Sequence, residues 1–207
     1  IWLLADLCAP SVQLFPEGYW AASTDVPAKA TEQNVKQAKK LLDEAGYGSG
    51  LEISMGVVKA QQFVNVAEAV AAQFEDIGVK VDVQAGEPVQ VVGNFTGQKT
   101  TDAYVSVWPG ATDPSKTVSS LLLPTGLFNP GGYENADIVS LAAEARSELD
   151  HDKRAALYQK LSEAAYDDHV QIPICSPQTP TVADKSISGV VNMPNGQIDL
   201  RGVEKLK

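Results

Sequence analysis

The sequence has few residues of the kinds that build metal and redox sites. Only two histidines, His151 and His169, and two cysteines, Cys8 and Cys175, occur among its 207 residues. None of them lies in a C-x-x-C, H-x-x-x-H or H-E-x-x-H spacing, and the G-x-S-x-G motif of serine hydrolases is absent. We therefore expect no cofactor, no metal and no catalytic residues, and a catalytic α/β domain of unknown reaction stays only as an alternative function.

Basic residues and long apolar runs are also scarce. The 16 Lys and Arg residues against 26 Asp and Glu residues give a net charge of -10, which would repel nucleic acid and anionic membranes. No apolar run approaches the ~18 residues that a membrane-spanning helix needs. With 44% hydrophobic residues the chain can build a core, and we expect a monomer without a nucleic-acid partner.

The two cysteines are too few for a disulfide framework, and most of the chain separates them. Their pairing is therefore undecided by the sequence. Cysteine is among the most buried residue types, and this favours two buried, unpaired thiols.

Helical and strand periodicities alternate through the middle of the chain. Apolar residues recur at helical spacing over residues 35–45 and 63–77, and strands are predicted near Leu51, Val79 and Ala103. A fourth strand is predicted over residues 170–174. Two further helices, with Ile138 to Leu149 on one face of the first, should pack as an αα-hairpin. This order predicts an α/β fold with a mixed sheet flanked by helices.

The ends of the chain fit that lobe poorly. Pro and Gly are frequent in the first thirty residues, and the last thirty hold only short extended pieces. We predict a crossover segment at 1–30, an α/β ligand-binding lobe at 31–175, and a return crossover with a C-terminal extended segment at 176–207. The start at Ile1 without a Met suggests a fragment of a longer protein.

The stretch from Asp102 to Pro114 is the best candidate for a binding site. A strand ends near Val107, Pro109-Gly110 turns the chain, and Asp113-Pro114 is suited to start a helix. Small molecules often bind at such strand ends in α/β proteins. The predicted ligand-binding residues are Trp108, Gly110, Ala111, Thr112, Asp113 and, from a later loop, Tyr133. Trp108 could instead be a core aromatic, Asp113 only a helix cap, and Tyr133 only a brace for its turn.

Seven pieces of the sequence, in the same order and spacing, resemble the C-terminal lobe of the family 5 solute-binding proteins of ABC importers, which bind oligopeptides, dipeptides or nickel. The pieces are QAKKLLDEAGY (37–47), AEAVAAQFEDIGVKV (67–81), 102–114 with Trp108, GYEN (132–135), DKRAALY (152–158), IPI (172–174) and SGV (188–190).

The resemblance implies one lobe of a type II (two-lobed, hinged) periplasmic binding protein. Such a protein would be the substrate-capturing component of an importer, delivering a small solute or peptide to ABC permease subunits. It would be periplasmic or extracellular, with lipid anchoring left open, and a protein–protein docking module is the other alternative. Peptide-binding relatives carry an Asp three positions after the Trp, which pairs with the ligand's α-ammonium. Ala111 stands there, so either Asp113 takes that role or the ligand is not an ordinary peptide.

Overall fold

The computed structural model of the protein describes residues 8–26, 33–177, 180–193 and 197–206. Within these ranges the elements are, in chain order, β1 (Cys8–Pro10), α1 (Val35–Glu44), β2 (Leu51–Val58), α2 (Gln61–Glu75), β3 (Val79–Gly86), α3 (Pro88–Gly93) with a π-helical turn (Asn94–Gln98), β4 (Ala103–Val105), α4 (Pro114–Leu121), α5 (Ala136–Ser147), α6 (His151–Asp167), β5 (Cys175–Pro177), β6 (Ile187–Ser188), β7 (Val191–Asn192), β8 (Ile198–Asp199) and β9 (Glu204–Lys205).

The central sheet has three parallel strands in the order β3-β2-β4. Met55 and Val57 of β2 are buried on one face against Ala67 of α2, and the partly buried Ala103 and Val105 of β4 complete this smaller core. Short antiparallel pairs, β1 with β5, β6 with β9 and β7 with β8, form separate sheets. The predicted α/β class is confirmed, with both parallel and antiparallel pairing present.

The opposite face of the sheet is covered by α3, which approaches very closely. A Cβ atom placed on Gly56 or on Gly86 would lie 2.9 Å from a methyl carbon of Val91, well inside van der Waals contact. Val91 is itself buried. The two glycines are therefore what allows α3 to seat on β2 and β3.

A second, larger core joins the N-terminal segment, residues 8–26, to the helices α4, α5 and α6. Phe15, Ala21 and Ala22 are buried in it with Leu122 and Tyr158, together with other helix residues. The ring of Phe15 meets the edge of Tyr158 at 6.1 Å between centroids. The N-terminal segment is thus part of this core and more than a surface connection.

Four partly buried aromatic side chains lead from the α3 side of the sheet to the larger core, and we call them the aromatic bridge. Phe95 stacks on Tyr104 at 5.6 Å, Tyr104 stacks on Phe128 at 6.4 Å, and Phe128 meets the edge of Trp108 at 5.8 Å. Ala103 and Val105 face the smaller core, so alternation along β4 places Tyr104 on the face covered by α3.

The expectation of unpaired thiols is wrong, because Cys8 and Cys175 form a disulfide. Antiparallel pairing of β1 with β5 sets Cys8 opposite Pro177 and Pro10 opposite Cys175. This brings the two cysteine Cα atoms to 5.5 Å, inside the range that a disulfide bridges. The long-range strand pair that creates this proximity has no signal in the local sequence.

The strand predicted at residues 170–174 is also wrong in place and partner. The observed strand is Cys175–Pro177, and it pairs with β1 and not with the parallel sheet. His169 adopts a left-handed backbone with φ 54°, and Pro173 has no N–H to give to a ladder. Both features interrupt extended pairing before Cys175. The predicted boundary between residues 30 and 31 lies outside the described residues, as does Ile1.

The predicted αα-hairpin is present. Asn135 caps α5 through hydrogen bonds from the backbone N–H groups of Asp137 and Ile138, and Asp150 caps α6 in the same way. The prediction that Leu149 lies on the apolar face of this helix is wrong, because Leu149 lies beyond the end of α5 and is 97% exposed. Across the described residues, every helix is too short or too polar to span a membrane.

Candidate functional site

The loop of residues 106–113 leaves the carboxyl end of β4 and enters α4. Gly110 has a positive φ of 74° with open space around its Cα, a conformation that costs a residue with a side chain more than it costs glycine. Asp113 ends the loop as the N-cap of α4, where its carboxylate accepts a hydrogen bond from the backbone N–H of Ser115 at 2.9 Å. The predicted turn and cap are therefore present.

Trp108 is the loop residue most firmly packed. Its indole Nε1 donates a hydrogen bond to the hydroxyl of Thr117 at 3.0 Å, and its ring contacts Phe128 of the aromatic bridge. The side chain is partly buried against the larger core. One side of the indole therefore contacts α4 and the 122–135 loop, and part of the ring stays accessible to solvent.

Asp113 forms an ion pair in addition to its capping bond. The guanidinium of Arg154 lies 3.0 Å from its carboxylate oxygens. Partial burial alone would raise the pKa of the Asp113 carboxyl, but the hydrogen bonds from Ser115 and the charge of Arg154 outweigh it and hold the pKa below its ordinary value. Asp113 is therefore a charged, already paired carboxylate.

Arg154 is the residue that fixes this pair in place. Its Nε donates to the backbone carbonyl of Ala145 at 2.8 Å, and its guanidinium lies over the rings of Trp20 and Tyr158 at 5.6 and 5.4 Å. Only 22% of the Arg154 side chain is exposed. A planar guanidinium can satisfy all of these contacts at once, so Arg154 ties the loop to α5, α6 and the N-terminal segment.

A second tie comes from the N-terminal segment. The hydroxyl of Tyr19 donates to the backbone carbonyl of Thr112 at 3.2 Å. Burial, and then the nearby charge of Asp113, raise the pKa of the Tyr19 hydroxyl, so it remains a hydrogen-bond donor near neutral pH. The loop is therefore supported from behind by two separate parts of the chain, and Gly110 and Thr112 remain exposed.

Tyr133 belongs to a neighbouring loop that is braced independently. Its hydroxyl donates to the carboxylate of Asp168, which also accepts a hydrogen bond from the side chain of Asn135 at 2.5 Å. The side chain of Asn129 hydrogen-bonds both the N–H and the carbonyl of Tyr133. The adjacent Phe128 contacts Trp108, so Tyr133 is linked to the 106–113 loop through residues 128 and 129.

The loop lies between two carboxylates that are both engaged. Asp102 accepts hydrogen bonds from the backbone N–H and the hydroxyl of Ser54, each at 2.8 Å, and these bonds lower its pKa. Asp113 is paired with Arg154. Residues 103–112, between them, contain no ionisable carboxyl, ammonium, guanidinium or imidazole group. Asp113 is therefore the only charged side chain of the 106–113 loop, and its charge is paired with Arg154.

Other ionisable groups occupy separate places. His151 lies against Trp20 and Asp152, and His169 packs against Tyr166. Within the described ranges, no three His, Cys, Asp or Glu side chains converge as metal ligands would.

A cavity of about 350 Å³ lies at the opposite edge of the sheet from the 106–113 loop. It is a polar groove beside the amino ends of β2 and β3, lined by the last turns of α1 and α2. Its lining includes Asp43, Glu75 and Asp76. The candidate site is instead a surface loop, with Gly110 and Thr112 exposed.

Sequence reasoning missed the supporting residues, namely Arg154, Thr117, Tyr19, Phe128 and Tyr104. Arg154 had one local signal, a position inside the 152–158 piece. The spatial pairing of Arg154 with Asp113, 41 positions away, has no local signal.

Comparison with known proteins places the chain among extracellular binding proteins. A sequence profile described as Bacterial extracellular solute-binding proteins, family 5 Middle, matches residues 3–129, more than half of the chain. No curated protein matches at a comparable level of significance.

Solved structures match over nearly the whole chain. Haemophilus influenzae OppA, in complex with the peptide RPPGFSPFR, has a TM-score of 0.79 at 21% identity over 99% of this chain and 42% of its own. A dipeptide-binding protein from Pseudoalteromonas sp. SM9913, in complex with Met-Leu, has a TM-score of 0.78 at 22% identity and covers 98% of this chain and 41% of its own. Staphylococcus aureus NikA, in complex with Ni(L-His)2, has a TM-score of 0.78 at 18% identity and covers 96% of this chain and 43% of its own. The chain thus spans about two fifths of the length of these structures.

Proposed function

This chain belongs to the bacterial extracellular solute-binding proteins of family 5, and we propose that it captures a small solute or peptide for an ABC importer. Members of this family bind peptides or other small ligands and work with ABC permeases. The observation that carries the proposal is the family match itself, which includes the 106–113 loop. The proposed partners are a solute and the transmembrane permease subunits, with the protein acting as a monomer and without nucleic acid.

We place half of the binding site on the 106–113 loop. Trp108, Gly110, Ala111, Thr112 and Asp113 are the proposed contacts, with Tyr133 at the margin. This proposal is supported by the hydrogen bonds that Thr117, Arg154 and Tyr19 make to one side of the loop, which leave its other side exposed for a ligand. A site whose backbone is fixed before binding loses less entropy when the ligand arrives.

The two ends of the chain are proposed to connect this lobe to a second one. The strand pair of β1 and β5 brings Cys8–Pro10, from the predicted crossover segment 1–30, beside Cys175–Pro177, where the predicted return crossover begins. Hinged lobes that close around a ligand move about a few such connecting residues. The disulfide in this pair fixes where the connection begins, and it fits an oxidising, extracytoplasmic location.

We propose binding without catalysis. Both cysteines are in the disulfide, and the contacts of the two histidines with Trp20, Asp152 and Tyr166 are not the Ser–His or Cys–His pairs that activate a nucleophile. Asp102 accepts hydrogen bonds from Ser54, and Asp113 is both the cap of α4 and the ion-pair partner of Arg154, which supports a structural role for the two carboxylates.

The test is a thermal-shift screen of the full-length protein with peptides, opines, sugars and nickel chelates. A ligand that binds only the folded state adds about 2.7 kcal/mol of stability at a hundred times its dissociation constant. If such a library gave no shift, or if the purified protein turned over one of these solutes, solute capture would be the wrong function.

A further inference from the structure

The charge on the 106–113 loop bears on the kind of solute it can hold. Its single carboxylate, Asp113, already has two partners, the Ser115 N–H and the Arg154 guanidinium. The side chain of Asp113 is 47% exposed, so a solute could reach it, but its charge is balanced. The next charged residue along the chain, Lys116, is a cation.

The groups that the loop does offer are neutral. Gly110 and Thr112 are exposed, and Val107 is exposed on the strand side. Ser106 and Thr112 contribute hydroxyls. The Trp108 indole has already used its N–H on Thr117, so its remaining surface is an apolar face. Such a surface favours amides, hydroxyls and apolar groups.

An ammonium group enclosed against this loop would lack a partner. Burying an unpaired cation costs several kcal/mol, and hydrogen bonds to neutral hydroxyls do not offset this desolvation cost. Taking Asp113 from Arg154 would leave the largely buried guanidinium unpaired in its place, over Trp20 and Tyr158.

We propose that the solute carries no ammonium group where it meets the 106–113 loop. The inference rests on the proposed solute-capture function and names the solute class: an N-blocked peptide, or another amine-free polar solute. Arg154 is the positioning residue behind this selectivity, because it balances the one carboxylate that could have received an amine.

The test uses the full-length protein and a panel of matched probes. The panel contains tripeptides with free amines, the same tripeptides N-acetylated, and neutral sugars, and dissociation constants are measured by calorimetry. We expect binding to amine-free members, and N-acetylation of a bound tripeptide should weaken its affinity by less than about threefold, since no charge-assisted bond is lost.

A variant pair locates the effect at the loop. Ala111→Asp adds a carboxylate next to exposed Gly110, and it should raise the preference for free-amine over acetylated tripeptides by about tenfold, the value of a charge-assisted hydrogen bond. Ala111→Asn has the same size without the charge and should leave that preference within about twofold.

The outcomes separate the two proposals. A loss of about tenfold or more on acetylation, or equal preferences in the Asp and Asn variants, would overturn the inference while solute capture stands. If no member of the panel or of the wider solute library bound, solute capture itself would fail, and the inference would fall with it.

Discussion

Removal of the Cys8–Cys175 disulfide should lower the stability of the lobe more than any other single change described here. The bond closes a loop of 167 positions, and both hydrophobic cores lie within it. In the chain-entropy treatment a loop of this length contributes about 5 kcal/mol by restricting the unfolded chain. Measured losses in small domains are typically 2–5 kcal/mol, and we expect a value in that interval for Cys8→Ser/Cys175→Ser.

The assay is urea unfolding of the full-length protein followed by tryptophan fluorescence. Trp20 and Trp108 both pack against the larger core, so they report its loss. The double variant is compared with the oxidised and the reduced wild type, and reduced wild type should match the variant. The dependence on urea should steepen in both, because an uncrosslinked unfolded chain exposes more surface.

Two results would refute this reasoning. Free thiols detected in unreduced, unfolded wild type would mean that the bond does not form. A loss below about 0.5 kcal/mol, with the thiols shown to be paired, would mean that the chain-entropy treatment does not apply to this loop.

Three further predictions concern the core, the sheet and acid stability. Trp108→Ala should reduce the free energy of solute binding by more than it reduces the free energy of unfolding. The indole is only half-buried, so its removal should destabilise the fold by less than the ~3–5 kcal/mol of a fully buried Trp. Equal losses in calorimetry and in urea unfolding would show that the indole is only a core residue. Gly56→Ala should destabilise the protein by about 1–3 kcal/mol through overpacking against the α3 helix. The control Gly93→Ala lies at a helical φ of -62° with open space around it and should stabilise the protein by about 0.5–1 kcal/mol. Urea midpoints in the reverse order would contradict the close contact between Gly56 and α3. Asp113→Asn should lower stability by about 1 kcal/mol near neutral pH, because the amide oxygen can still accept hydrogen bonds from Ser115 and Arg154 and only the partly solvent-screened charge interaction is lost. The pKa of Asp113 is depressed on folding, so its contribution is present above the unfolded value of about 3.9 and is lost as pH falls through the folded value; an unchanged acid limb of the unfolding curve in this variant would exclude a role for the pair.

Much of the fold follows from local patterns. The alternation of Val79, Val81 and Val83 with polar residues predicts β3, and Gly46 and Gly78 mark where α1 and α2 stop. Asn135 and the Asp113-Pro114 pair predict helix starts that the structure contains. These features depend on a few neighbouring residues, and the physical preference that produces each one acts over the same short distance.

The predictions that failed have both local and distant causes. The strand at 170–174 has good β-propensity, but Pro173 and the left-handed backbone of His169 decide against it. Leu149 continues an apolar periodicity past the point where α5 ends. The disulfide depends on a strand pair that closes nearly the full length of the chain.

The candidate site divides in the same way. Its loop and cap can be read from residues 102–114, so the predicted position of the site was available from the sequence. Its charge state was not, because the Arg154 guanidinium that balances Asp113 arrives from another helix. A sequence therefore shows which side chains line such a loop more readily than it shows which of them are already engaged in ion pairs or hydrogen bonds.

The packing of the N-terminal segment also has a consequence for how the protein is made. The contact between Phe15 and Tyr158 joins residues 143 positions apart, and β1 finds its partner strand only at Cys175. A chain that emerges from the ribosome amino end first must therefore wait roughly 7–30 s, at 5–20 residues per second, before the larger core can close. During that interval Phe15, Tyr19 and Trp20 have no completed core to enter. The sheet with α2 and α3, whose contacts lie within residues 51–105, can form well before them.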